Sequence, residues 1–180
     1  MKNKVISFSL SASSINAAIR ELRDYRADLE RKCRRVRELV AERIAWSAST
    51  GFTTALVSDV VKGPRPQNNV QVRVEHGDTV SIVIAEGEQA VFIEYGAGKY
   101  HNGDVGKSPH EWGQRKGYLI GTYGKGQGAH DQWAFYLDES KRSKKEVSVT
   151  RGTPAAKPMY NGMKEAIQAL EEIMREVFGG

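Results

Sequence analysis

Residues 121–128, GTYGKGQG, set four glycines and a lysine into eight positions. Backbone of this composition lies close to phosphates in many nucleotide sites. A phosphate loop of the Walker kind has lysine and then serine or threonine after its second glycine, because the lysine reaches the phosphates and the hydroxyl holds magnesium. Here Gly126 is followed by Gln127. A dinucleotide fingerprint runs G-x-G-x-x-G from a buried strand into a helix. Gly124, Gly126 and Gly128 instead run G-x-G-x-G and lead into AHDQWAFYL, which reads as a strand. These glycines therefore serve tight turns and chain flexibility, and no nucleotide or other cofactor is implied.

Metal and nucleophile chemistry have candidates of the right type but without the right spacing. His101, His110 and His130 share one segment with Asp104, Glu111 and Asp131. No pair of them stands at i,i+4 on a predicted helix, the spacing that would aim two ligands at one zinc ion. A metal-dependent nuclease using His101, Asp104 and His110 is the third functional reading. Glu94 ends a predicted strand without a second carboxylate at a telling distance. Cys33, the single cysteine, excludes an internal disulfide and falls on an apolar helix stripe, where a small core residue is expected. No catalytic constellation emerges, so the expectation is a protein that is not an enzyme.

The elements that position these residues make an α+β chain of one domain. Residues 5–10, VISFSL, alternate as a short first strand, and Ser13 or Ser14 offers a helix cap. Ile15, Ile19, Leu22, Tyr25, Leu29, Cys33, Val36, Val40 and Ile44 then recur at spacings of three and four, with neither proline nor glycine before Gly51. One long amphipathic helix follows, with a single narrow stripe, in a segment 1–50. Part of it must project or lie along a neighbour. Its other faces carry nine basic residues from Arg20 to Arg43 among six acids, densest at Arg31, Lys32, Arg34, Arg35 and Arg37. Mixed signs at helical spacing describe a solvated face. With the net charge of +5 they also admit contact with DNA.

After Gly51 the period changes. VSDVV at 57–61 is a candidate strand, and the alternation from Val70 to Ile93 predicts a three-stranded meander within 57–95, turning at 76–78 and 86–88. Residues 96–130 hold ten glycines and the isolated aromatics Tyr100, Trp112, Tyr118 and Tyr123. Linkers seldom carry such side chains, so an insertion ordered by a partner is expected. WAFYL and EVSVT predict a hairpin over 131–150. Pro158 opens a C-terminal helix over 158–178, with Met159, Met163, Ile167, Leu170, Met174 and Val177 as its stripe. No apolar run approaches the ~18 residues that cross a bilayer, so no membrane role is expected.

FIEYGAG at 92–98, a glycine-rich insertion, and TRGTPAAKPMYNGMKEA at 150–166 behind a charged N-terminal helix resemble the tail-component proteins of long-tailed bacteriophages, the neck or tail-completion proteins. The carrying residues are Phe92, Glu94, Tyr95 and Gly96, then Gly152-Thr153, then Pro158-Met159. Met159-Tyr160 stands where Phe-Leu is commoner, and GTYGKGQG looks like the insertion found in versions from prophages of Gram-positive bacteria. The resemblance implies a non-enzymatic virion protein that forms a homo-oligomeric ring, six-fold in symmetry, at the head–tail junction. Its partners would be other neck and tail proteins, with non-specific DNA contact in the channel. It would act in the virion after assembly in the host cytoplasm. Glu94, Tyr95, Gly96, Tyr100, Trp112, Tyr118, Tyr123 and Met159 would form the assembly interface. A basic nucleic-acid-binding protein is the alternative.

Overall fold

Ser11 is held extended, and its hydroxyl accepts the backbone N–H of Ser14 at 3.3 Å, which starts the first helix. The cap thus stands earlier than the expected Ser13 or Ser14. In the computed structural model, which describes residues 9, 11–100, 132–135 and 147–179, this helix, α1, runs Ala12–Thr54. At ~1.5 Å per residue it is roughly 65 Å long. Near its end the hydroxyls of Thr50, Thr53 and Thr54 donate to the carbonyls of Trp46, Ser49 and Thr50. Ala55 then turns extended and the helix stops.

Two further helices run back antiparallel along the second half of α1: α3, Pro158–Gln168, and α4, Leu170–Phe178, separated at Ala169. At the α1–α3 crossing the backbones nearly touch. A Cβ on Gly162 would lie 2.8 Å from the Ile44 carbonyl oxygen, and Ala48 and Ala166 are buried beside it. Higher up, the Lys32 ammonium sits 5.8 Å over the Phe178 ring. The face α3 and α4 bury is Gly162, Ala166 and Ile173, with Met159 and Met163 half-buried. Ile167, Leu170 and Met174 are exposed, against the expectation that they continue the buried stripe. Close helix approach selects small residues, which carry little hydrophobic signal, so sequence periodicity picked the larger neighbours one position away. Cys33 likewise departs from expectation: it is exposed, not core.

The strands among the described residues form two sheets. β2, Gln71–His76, and β3, Ser81–Glu86, make an antiparallel hairpin in register Gln71↔Glu86 through His76↔Ser81, closed by Gly77 N–H to Val80 O at 2.8 Å. β1, Val60–Lys62, β5, Ser148–Thr150, and β4, Trp133–Phe135, form an antiparallel sheet in the order β1-β5-β4, so the expected hairpin gains a third strand. The first strand after α1 begins three residues later than VSDVV suggested. The meander's third strand does not exist: Ala90–Tyr95 is a helix, α2. Its β-branched residues mimic a strand, yet the positions it buries, Ala90, Ile93 and Glu94, lie three and four apart, as on one helix face. Phe52 at the end of α1, Ala90 and Ile93 form the core, with Val57, Val70, Val72, Ala85 and Met159 packed around them. The expected strand at 5–10 apart from Ser9, residues 101–130 of the insertion and the basic turn of the hairpin lie outside the described residues.

Candidate functional site

The two segments that carry the resemblance meet in space. α2 ends at Gly96, whose N–H donates to Phe92 O at 2.7 Å. The chain then pairs with the segment entering α3: Ala97 N–H donates to Thr153 O at 2.8 Å and Thr153 N–H returns to Ala97 O at 3.2 Å. Gly152 has φ +122°, and a Cβ there would lie 2.0 Å from Ala97 O, so only glycine fits the approach. Ala156 N–H donates to Ile93 O at 2.9 Å, and Lys157 takes a left-handed conformation that turns the chain into α3.

Glu94 lies at the centre of this junction. Its side chain is buried, 6 % exposed, and faces the start of α3. One carboxylate oxygen accepts the Met159 N–H at 2.9 Å and the other accepts the Tyr160 N–H at 3.1 Å. The first amides of a helix have no partner within it and carry the positive end of its dipole, so a carboxylate satisfies both deficits together. Lys157, at the cap position itself, makes no side-chain cap bond. Glu94 caps the helix from 65 residues away in sequence. Both oxygens are engaged within the chain, where they hold the start of the helix.

A second polar group joins β1 to the same junction. The Arg151 guanidinium lies 3.0 Å from the Asp59 carboxylate, and the Tyr100 hydroxyl donates to that carboxylate as well. This hydrogen bond, with burial and the Asp59 charge behind it, holds the Tyr100 phenol above its ordinary value. The Ser58 and Thr150 hydroxyls share a hydrogen bond of 2.7 Å, and the Thr153 hydroxyl donates to Val57 O at 2.7 Å. These buried hydroxyls are matched to one another and to backbone, as a fixed framework requires.

The basic cluster on α1 divides. Arg37 leaves the solvated face and donates to Asp78 O at 3.0 Å, Gly77 O at 2.8 Å and the Ser81 hydroxyl at 3.2 Å, fastening the β2–β3 hairpin to α1. Arg31 and Lys32 pair with Asp28. Arg35 lies 3.9 Å from both Glu38 and Glu42. On the hairpin Arg73 bridges Glu75 and Glu86, and its hydrogen bond lowers the Glu86 carboxyl below the usual range.

Beneath the hairpin an apolar cleft of about 700 Å³ is lined by Phe52, Ile82, Val91, Tyr95, Met159 and Met163, with the capped Glu94 in its wall. Of the residues expected at an assembly interface, Glu94, Gly96 and Met159 thus come together at the α2–α3 junction. Tyr95 lines the cleft, and Tyr100 stands apart on Asp59. Trp112, Tyr118 and Tyr123, with His101, Asp104 and His110, lie outside the described residues. Among the described residues no group of three or more His, Cys, Asp or Glu side chains could hold a metal ion, and no helix is long and apolar enough to cross a membrane. Sequence reasoning missed the Asp59–Arg151 pair and the Arg37 clamp. Neither leaves a local signal, since each joins residues 40 or more apart. No protein-family model, curated protein or solved structure matches the chain.

Proposed function

We propose that this protein is a non-enzymatic structural component of a bacteriophage or prophage virion, a subunit of a ring at the head–tail junction that completes the tail for joining to the head. The observation that supports this reading is the junction itself. FIEYGAG and TRGTPAAKPMY, the segments that resemble neck and tail-completion proteins, form one contact unit through Glu94, Gly96, Gly152 and the start of α3. Within the chain these motif residues hold α2 against the start of α3.

The test is genetic. In a phage or prophage that encodes this chain, disrupting its gene should leave filled heads and tails accumulating unjoined, and supplying the protein in trans should restore joined particles. Normal yields of infectious, joined particles without the protein would contradict the proposal. The second reading, a duplex-binding protein, draws on the exposed Arg31, Arg34 and Arg35. It is weakened by the commitment of Arg37 to the hairpin.

A further inference from the structure

We draw no further inference here: the strongest candidate, the apolar cleft beneath the β2–β3 hairpin with the exposed Ile82 and Val91 in its lining, is an unpartnered apolar surface, and nothing in the structure shows what covers it.

Discussion

At the residue scale, Glu94 carries more of the account than any other side chain, because it is buried and its carboxylate accepts two backbone amides at the head of α3. Glu94→Ala should cost about 2 kcal/mol, the scale of a lost helix cap plus a stranded buried donor. In a chain of this length that lowers the thermal midpoint by roughly 4–8 °C, as differential scanning calorimetry would record. Glu94→Gln keeps one acceptor oxygen and should fall between, and a midpoint unchanged in both variants would refute the capping role. Tyr100 adds a dependence on pH. Its phenol is held above the ordinary value by the Asp59 hydrogen bond, so the unfolded chain loses this proton before the folded one. The stabilisation is therefore complete below the unfolded value of 10.0 and is lost as pH rises from there through the higher folded value. Denaturant midpoints of the parent and Tyr100→Phe proteins should differ at pH 8 and converge above pH 10; a gap that widens with pH would reverse the sign.

At the element scale, the hairpin and α3 are each fastened by a contact distant in sequence. Arg37→Ala removes three hydrogen bonds between α1 and the hairpin turn. Hydrogen exchange of β2 and β3 should then quicken while the amides of α3 keep their protection, and equal loosening of both would show that the clamp is not local. Gly152→Ala places a methyl on the Ala97 carbonyl at a positive φ and should cost about 3 kcal/mol or more, read from urea unfolding. The legibility of the sequence follows the same division. α1, the β2–β3 hairpin and the β4–β5 pairing were readable because each declares itself by local period. α2 reads as a strand because Val91 and Ile93 favour one, and its 6 residues are too few to declare a helical period. The buried face of α3 and α4 was displaced because Gly162 and Ala166 bury by being small. Glu94 stands out in the sequence as a lone carboxylate within FIEYGAG, but its capping role is hidden there, since a cap 65 residues away follows no local rule.

At the scale of the whole molecule, the rival reading and the leading one separate on binding. A basic chain in which Arg26, Arg31 and Arg35 serve ion pairs and Arg37 a hairpin clamp should bind duplex DNA no more tightly than ~10⁻⁶ M at physiological salt, the range of non-specific contacts. Submicromolar binding that falls steeply with salt, measured by fluorescence anisotropy, would favour the nucleic-acid reading. The central claim, that this protein is a built-in part of a virion neck, is met most directly by finding where it resides. Antibody labelling of purified joined particles, viewed by electron microscopy, should place gold at the head–tail junction of most particles, with the same protein detected by mass spectrometry in the particle fraction. Its absence from purified particles, or label spread over host material with bare necks, would contradict the account.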